Sequence, residues 1–583
     1  MGYIMQRFLR TIALAAFVMT TGPVPAGAQI VSASAEPTSH ADLFALFNDW
    51  RAFVQPAIRA GVPDYSAAAM AGKAADLPRY RSRLAAIATT GWSAADRNDW
   101  RLVEAEMNGF DFFLRVLKPW ARDPGFYQNV FGEESDVPAH EGPSASPTID
   151  LFKFSYPLSR ADDRTLTELI GGVPTMLAAA RTNLAAGNAA DLWRYGDRGF
   201  RDQSAVLAAL ERGDLKMRTF SGEQAASLAG ASPALRNAVR AARMATDSFA
   251  DWIVAQAPSK TGPSGVGKAN YDWYVAKVNL SPYGWDQQVM LLQRELDRAL
   301  ASLRLEELRN RDLPPITPVS EAAAYRRMAE GRTRKFNDFL VATGFVPDKP
   351  YFRKAMEAQT SNYLAPDADH GFFDNVTALD PLPLLSHSTH WIELARLRFE
   401  PRASPIRQTP PLFNIFADRS EGFATAMEEI VMQAGLYDDI PHGRELVWIM
   451  LANRAARGLA SLHVQANESD LAQAGRFHAD WTPRHWSNAQ SKLVGFEQLL
   501  YLRQPGYGTS YVVGKLQLDH LFARASHEAE TAGQPFVMKD VFARVMAPGI
   551  LPPALIEDEM FAVPALGEHP TRRGSPRSGH CPG

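Results

Sequence analysis

Apolar residues recur at intervals of three and four positions along most of the chain, and polar residues fill the positions between them. This spacing places the apolar side chains on one side of an α-helix, whereas a half-buried strand would alternate apolar and polar residues. Alternating runs rich in β-branched residues are rare. The pattern predicts an all-α, mainly helical fold, with at most a small β element near the candidate site, at 351–360 or 372–376. The main predicted helices are 42–60, 94–116, 162–185, 232–256, 285–311, 321–343, 421–434, 444–468 and 511–532.

The first 28 residues have the pattern of a signal peptide. Arg7 and Arg10 precede the apolar run 11–19, and the small residues 26–28 suit a signal peptidase. The apolar run is too short to span a bilayer, and no later run reaches the roughly 20 apolar residues that would be needed. We therefore predict cleavage after Ala28 and a periplasmic or secreted protein that does not contact a membrane afterwards.

Two Pro- and Gly-rich stretches, 123–148 and 258–268, interrupt the helical pattern. The second of them separates a predicted N-terminal helical region, 29–265, from a C-terminal helical region, 266–567. Residues 568–583 are rich in Arg, Gly, Ser and Pro and are predicted to form a disordered tail.

Composition excludes several classes of function. The net charge is only -3 and no basic patch with interleaved aromatic residues occurs, so nucleic acid is not an expected partner. The one cysteine, Cys581, lies in the tail, which excludes an intrachain disulfide and a thiolate metal site in the folded body. Nine of the 13 histidines fall between His370 and His527, which indicates that the chemistry lies in the C-terminal half. The oligomeric state is left open.

A histidine and carboxylate motif is the strongest candidate for chemistry. His387, His390 and Glu393 are spaced by three residues, which would place three metal ligands on one side of a helix. A following helix, capped by a residue near 418–420, would carry Glu421 in its first turn and Glu428 on the same face. Neutral imidazole and carboxylate are good zinc ligands, so zinc is the predicted cofactor. The alternative is a polar helix end with capping and core-lining histidines.

Two further motifs could complete such a site. The predicted helix 444–468 carries Arg454, Arg457 and His463 among apolar residues. Buried arginines are costly unless they meet carboxylates, so one or both are expected to pair near Glu421, and a purely structural ion pair is equally consistent. A Gly-rich turn then delivers Tyr507 and Tyr511 into a helix, where a phenol could donate to an oxyanion or simply pack in the core.

Taken together and in this order, these motifs resemble the bacterial family catalogued as domain of unknown function 885, whose members look like distant relatives of helical zinc metallopeptidases. The resemblance covers roughly 42–559 and implies a large helical, metallopeptidase-like body with a deep cleft. The matching positions are Gly267, Tyr271 and Tyr274; Glu421, Gly422, Phe423 and Ala424; Arg454, Arg457 and His463; and Pro505, Gly506, Tyr507, Tyr511 and Gly514.

The chain departs from the family at the central motif. The family pattern His-Glu-x-x-Pro-Gly-His reads His-Ser-Thr-His-Trp-Ile-Glu from His387 to Glu393. Matching on His387 puts Ser388 in place of the glutamate that looks like the general base, and a hydroxyl is too weakly basic for that task. In the other alignment His390 takes the place of the second histidine and the first is lost.

The resemblance implies a zinc-dependent hydrolase of peptide or amide bonds with a rearranged site. The implied metal ligands are His387, His390 and Glu421, and either Glu393 or Glu428 would serve as base. His463 and Tyr511 would stabilise the oxyanion, and Arg457 would orient Glu421 or receive a substrate carboxylate. The alternatives are an inactive member that binds a peptide or small ligand, and a structural protein in which these residues only pair and pack.

Overall fold

Serine side chains begin several of the helices. The hydroxyl oxygens of Ser66, Ser93, Ser159, Ser232 and Ser491 each accept a hydrogen bond from a backbone N–H of the first turn. Such caps satisfy donors that have no partner inside the helix. The computed structural model describes residues 39–138, 146–365 and 370–562. It is 67% helical, which confirms the predicted all-α class.

Twenty-four α-helices occur in the described residues. They are α1 His40–Val54, α2 Ala67–Ala85, α3 Ala94–Phe112, α4 Pro119–Arg122, α5 Arg160–Gly171, α6 Val173–Asn183, α7 Ala190–Arg194, α8 Arg198–Arg212, α9 Pro233–Gln256, α10 Lys268–Lys277, α11 Trp285–Arg309, α12 Ala322–Ala342, α13 Pro350–Glu357, α14 Phe372–Leu379, α15 Leu382–His387, α16 His390–Phe399, α17 Pro405–Gln408, α18 Ala417–Gln433, α19 Pro441–Gln465, α20 Leu471–Asp480, α21 Lys492–Arg503, α22 Tyr507–Thr531, α23 Met538–Met546 and α24 Pro553–Met560.

Three two-stranded sheets and an isolated bridge between Ala189 and Gly262 are the β structure of the described residues. Strands β1 Ile58–Arg59 and β2 Val62–Pro63 are antiparallel, and β3 Val130–Phe131 and β4 Ile149–Asp150 are parallel. Strands β5 Leu215–Thr219 and β6 Gly222–Ala226 form a hairpin in which Leu215 pairs with Ala226 and Thr219 with Gly222. Alternate residues of β5 are buried, as a strand with one face on the core requires.

Two predicted strand positions are helical instead. Residues 351–360 fall largely in α13 and 372–376 fall in α14. In α13 the buried residues Phe352, Ala355 and Met356 follow a helical spacing. Over so short a segment the helical and the alternating pattern of apolar residues are difficult to distinguish. A small β element does lie near the candidate site, but it is the β5–β6 hairpin.

One hydrophobic core extends from Leu43 to Met560 and includes residues from both halves of the chain. The predicted boundary between 265 and 266 stays a prediction, and the predicted signal peptide and tail lie outside the described residues. None of the described helices combines the length and the hydropathy that crossing a membrane requires.

Helices α18 and α22 pack closely because glycines meet at their contact. A Cβ atom at Gly422 would lie 2.4 Å from the backbone of Gly514, and one at Gly514 would lie 1.9 Å from the carbonyl oxygen of Asp418. Side chains at either position would push the helices apart. This contact places Glu421 of α18 beside the first turns of α22.

Candidate metal centre

The two histidines of the central motif lie on either side of a helix break. Helix α15 ends at His387 and α16 begins at His390, with Ser388 and Thr389 between them. This differs from the single helix that the spacing predicted. The break turns the two imidazole rings nearly perpendicular to each other, at 85°, with their centroids 5.0 Å apart.

Glu421 faces both imidazoles from the neighbouring helix. Its Oε2 atom lies 3.2 Å from His390 Nε2 and 3.5 Å from His387 Nε2. Helix α18 begins at Ala417, so Glu421 lies in the second turn and not in the first turn as predicted. The structure thus brings together His387, His390 and Glu421, and one ligand atom from each lies within 4.8 Å of the others.

The two distances from Glu421 to the imidazole nitrogens suit a tetrahedral metal ion. Zinc bonds of about 2.0 to 2.2 Å place neighbouring ligand atoms about 3.3 to 3.6 Å apart in a tetrahedron. The distances from Glu421 to the two nitrogens, 3.2 and 3.5 Å, are close to that range. Two imidazoles and a carboxylate also leave a coordination position for a substrate or water, as in catalytic zinc sites.

Each of the three residues is held by a second contact on its far side. Ser420 Oγ lies 3.2 Å from His390 Nδ1, and Tyr507 donates a hydrogen bond of 2.6 Å to Glu421 Oε1. Glu428 Oε1 lies 2.9 Å from His387 Nδ1, although the two atoms are not aligned for a hydrogen bond. Partners of this kind select the imidazole tautomer and direct Nε2 toward a metal.

Glu428 is itself paired with Arg454 of α19. Arg454 Nη1 donates to Glu428 Oε2 at 2.9 Å, and Nη2 lies 2.6 Å from Oε1. Both side chains are almost fully buried, at 1% and 2% exposure. A buried charge needs an opposite charge nearby, so each residue makes the other tolerable in the core.

The two histidines also govern the ionisation of Glu421. Burial by itself raises the pKa of this carboxyl, because a charge is poorly solvated in the interior. The positive charge available at His390 and His387, and the hydrogen bonds from both rings, hold the pKa of Glu421 well below its usual value. Glu421 is therefore an anion in this arrangement, which is the form that binds a cation.

Tyr511 and Arg457 lie beside this cluster. The Tyr511 ring is nearly parallel to the His387 ring, with centroids 6.1 Å apart, and the Arg457 guanidinium lies 4.2 Å from the Tyr511 centroid. Arg457 also forms a buried ion pair with Glu497. Burial lowers the pKa of Arg457, but Glu497 raises it above the ordinary value. Arg457 is therefore a fixed cation next to Tyr511.

A general base would have to reach a water on the metal, but Glu393 is paired with Arg419. Arg419 Nη2 donates to Glu393 Oε2 at 3.0 Å, and the Arg419 guanidinium lies 4.2 Å from the Phe423 ring. Arg419 and Glu421 are two residues apart on α18, so they point to different sides of the helix. The positive charge of Arg419 makes Glu393 a weaker base.

His463 is not part of the cluster, contrary to the predicted role at an oxyanion. It is the sixth residue after Arg457 on α19, which is about 9 Å further along the helix axis. Its Nδ1 lies 2.7 Å from Glu468 Oε2, and its ring meets Trp285 edge to face at 5.5 Å. The His463 side chain is 38% exposed, so the ring belongs to the surface.

Sequence reasoning missed the supporting residues more than the candidate ligands. Glu497 was not singled out, Ser420 was considered only as a helix cap, and Tyr507 only as a phenol delivered by a turn. Glu428 was predicted on the same face as Glu421, because it follows that residue by two helical turns. Glu497 lies 40 residues from Arg457 in the chain and carries no local signal.

No protein-family model matches the chain, and no curated protein sequence does. Two solved structures share its fold. One is described as a "putative lipoprotein of unknown function" from Shewanella oneidensis, with 13% identity, a TM-score of 0.62, and coverage of 90% of this chain and 100% of that one. The other, a "putative lipoprotein" from Colwellia psychrerythraea, has 13% identity, a TM-score of 0.63, and coverage of 90% and 99%. The resemblance to domain of unknown function 885 stays a prediction.

Proposed function

We propose that this chain is a metal-dependent hydrolase of peptide or amide bonds. The observation that carries the proposal is the convergence of His387 Nε2 and His390 Nε2 on Glu421 Oε2, at 3.5 and 3.2 Å. A bound Zn²⁺ would act there as a Lewis acid toward a scissile carbonyl and would lower the pKa of water. The residues around the cluster bear on three further requirements.

Orientation of the ligands is the first of these requirements. Tyr507 holds Glu421 through Oε1, which leaves Oε2 directed at the two imidazoles. Ser420 lies at His390 Nδ1, so Nε2 is the nitrogen of that ring that remains for a metal. Ligands fixed in this way do not have to reorganise when a metal binds, which favours binding.

A proton acceptor is the second requirement. Glu428 is the carboxylate in contact with the cluster that is not itself a proposed ligand, and its Oε1 lies 2.9 Å from His387 Nδ1. Nδ1 is on the opposite side of the imidazole from Nε2, so this contact makes Glu428 an orienting partner of His387 and does not bring it to a metal-bound water. Glu428 is paired with Arg454 and Glu393 with Arg419, so neither is a free base and the expected rate is modest.

Stabilisation of an oxyanion is the third requirement. Tyr511 lies beside His387, and its phenol can donate to negative charge that develops on a substrate oxygen. Arg457 covers the Tyr511 ring and is anchored by Glu497. We therefore assign Arg457 to the positioning of Tyr511, in place of the predicted roles of orienting Glu421 or receiving a substrate carboxylate.

One observation favours a second function, binding of a peptide or small ligand without hydrolysis. Glu393 and Glu428 both form buried ion pairs with arginines, and Ser388 stands where the related motif has a glutamate. A site that binds metal and ligand but lacks an efficient base would show these features. For either function we propose an exported protein, which agrees with the predicted signal peptide and with the description of both structural relatives as lipoproteins.

Metal content measured by plasma mass spectrometry tests the proposal. Tag-free protein purified without chelator is expected to contain about one zinc per chain, and a His387→Ala/His390→Ala variant is expected to contain none. A His520→Ala variant is the matched control, because that ring is 61% exposed and contacts Glu557. Zinc-loaded protein is then screened against a peptide library. If the protein contains no zinc after incubation with the metal, both proposed functions are overturned, because both use it. If it binds zinc but hydrolyses no peptide, the function of binding a ligand without hydrolysis is favoured.

A further inference from the structure

A cavity of about 380 Å³ lies beside the candidate metal centre. Its walls come from the β5–β6 hairpin, the corner between α15 and α16, helix α12 and the segment that follows α13. The volume is at the lower end of the range for small-molecule sites. It is sufficient for a ligand the size of a short peptide.

The helix break that carries the histidines also forms a wall of this cavity. Ser388, which lies between His387 and His390, lines the cavity, and Trp391 lines it one residue after His390. The His387 side chain is 14% exposed, whereas His390 and Glu421 are each 3% exposed. None of the three candidate metal ligands lines the cavity itself, so the helix break is the wall that the two sites share.

The cavity contains a cation, Arg218, that makes no ion pair with the described residues, although Glu223, its cross-strand partner in the hairpin, lines the same cavity. The Arg218 guanidinium lies 5.6 Å from the centroid of the Trp391 ring. Within the described part of the chain, no carboxylate lies within 4.0 Å of Arg218, whereas Lys216 on the same face of β5 pairs with Glu223 at 3.0 Å. Arginine is well suited to bind a carboxylate through two parallel hydrogen bonds.

The remaining walls suit a peptide. Trp391 is only 1% exposed, so it closes the wall next to Arg218 and offers little ring surface to a ligand. On another side, Gln359 and Asn362 bring carboxamide groups, which can donate to and accept from peptide groups. Glu133 also lines the cavity, and its charge disfavours ligands with several carboxylates.

We propose that this cavity binds a short peptide through a single carboxylate, which Arg218 recognises. The carboxylate could be the peptide's C-terminus or an acidic side chain. Only the identification of this peptide as the substrate rests on the proposed hydrolase function. The binding itself does not require the metal centre.

Isothermal titration calorimetry of the whole mature chain with three peptides tests the proposal. The peptides are N-acetyl-Ala-Ala-Ala with a free carboxylate, the same peptide as its C-terminal amide, and N-acetyl-Ala-Glu-Ala amide. We expect the free acid to bind at least tenfold more tightly than the simple amide. Tighter binding of the glutamate peptide than of the free acid would identify a side-chain carboxylate as the recognised group.

Two substitutions locate the binding site. Arg218→Gln is expected to remove the preference for a carboxylate, and Arg218→Lys to retain part of it because the charge remains. Arg212→Gln is the matched control, since Arg212 is an exposed arginine that binds Asp214 just before the hairpin and does not line the cavity. Equal binding of all three peptides, no binding of any peptide at millimolar concentration, or equal effects at positions 212 and 218 would overturn the proposal.

The outcome is separable from that of the hydrolase proposal. Binding is measured with zinc-loaded protein and with the Glu421→Gln variant, in which the candidate metal centre is impaired and the cavity wall is unchanged. Carboxylate-selective binding in both, without hydrolysis in either, would leave the cavity proposal standing and contradict the proposed enzyme. Hydrolysis that does not depend on Arg218 would support the proposed enzyme and would show that its substrate is not recognised through Arg218.

Discussion

Tyr507, at the first position of α22, donates a hydrogen bond of 2.6 Å to Oε1 of Glu421 in α18. Both side chains are buried, and the glycine contact between the two helices fixes their separation. The remaining oxygen of Glu421 faces two imidazoles. One phenol thus sets the direction of the carboxylate on which the candidate metal centre depends.

Replacement of Tyr507 by Phe is expected to weaken zinc binding about 10- to 100-fold, which is the usual effect of removing a partner of a metal ligand. The ring still fills its place in the core, so the free energy of unfolding should fall by only about 1 kcal/mol. Zinc affinity is measured by competition with a chelator of known affinity.

The matched control is Tyr363→Phe, which removes another phenol hydrogen bond of 2.6 Å, to the carbonyl of Ser320. That variant should bind zinc as the unmodified chain does. If Tyr507→Phe also bound zinc normally, the hydrogen bond to Glu421 would have no part in orienting a ligand.

Gly514→Ala should disrupt the contact between α18 and α22. The added Cβ would lie 1.9 Å from the carbonyl oxygen of Asp418, so the helices would have to separate. Overpacking of this kind typically costs about 1 to 3 kcal/mol, and the shift should also displace Glu421 and reduce zinc binding. Thermal melting and zinc content measure the two effects.

Gly331→Ala provides the contrast, because it also places alanine inside a helix, α12, where the nearest atom would be 4.0 Å away. Alanine has the higher helix propensity, so this variant should gain about 0.5 to 1 kcal/mol. Equal stability of the two variants would show that the glycine contact is not required.

The fold class could be predicted because helical periodicity is a local property. The predicted helix 162–185 still differs from the structure, which has α5 and α6 with Gly172 between them. Pro174, near the start of α6, has no N–H group and favours such a break. In the same way the predicted helix 42–60 ends at Val54, just before Pro56.

The candidate site was harder to predict because the order of motifs along the chain does not specify which way each side chain points. Arg454 and Arg457 face the cluster, but His463 on the same helix faces Glu468 and Trp285. Spacing also could not show that Ser388 and Thr389 interrupt the helix, since α15 is only six residues long. The partners of Glu393 and Arg457 depend on packing between distant segments, for which a single sequence has no signal.

Arg454 and Glu428 form a buried pair that can be tested by a double-mutant cycle. Arg454→Met should destabilise the metal-free protein by about 3 to 5 kcal/mol, because Glu428 would remain buried without its main partner. Glu428→Gln leaves the Arg454 charge without its partner and should also destabilise the protein. The combined Glu428→Gln/Arg454→Met variant should lose less unfolding free energy than the sum of the losses in the two single variants.

Urea unfolding in the presence of chelator gives the four free energies of the cycle. Strictly additive losses would mean that the two side chains do not stabilise each other. In that case another group would hold Glu428 at His387.

Asp418 gives a prediction for pH dependence at a residue outside the proposed ligand set. Burial raises the pKa of Asp418 to about 7, from 3.8, although Gln517 Nε2 donates to its Oδ2 at 2.8 Å. Between pH 3.8 and about 7 the folded chain keeps this proton while the unfolded chain has lost it. Stability that is fully present below pH 3.8 is therefore lost as the pH rises toward 7.

Asp418→Asn removes the titration and keeps an oxygen that can accept from Gln517. The difference in unfolding free energy, variant minus unmodified chain, should rise by roughly 1 kcal/mol per pH unit between pH 4 and 7 and level off above pH 7. Urea titrations at four pH values measure this difference, and taking the difference cancels the other titrating groups to a first approximation. A constant difference would mean that Asp418 is ionised in the folded chain at pH 5. The start of α18 would then tolerate a buried negative charge three residues before Glu421, a second anion that would strengthen attraction for a cation at the neighbouring centre.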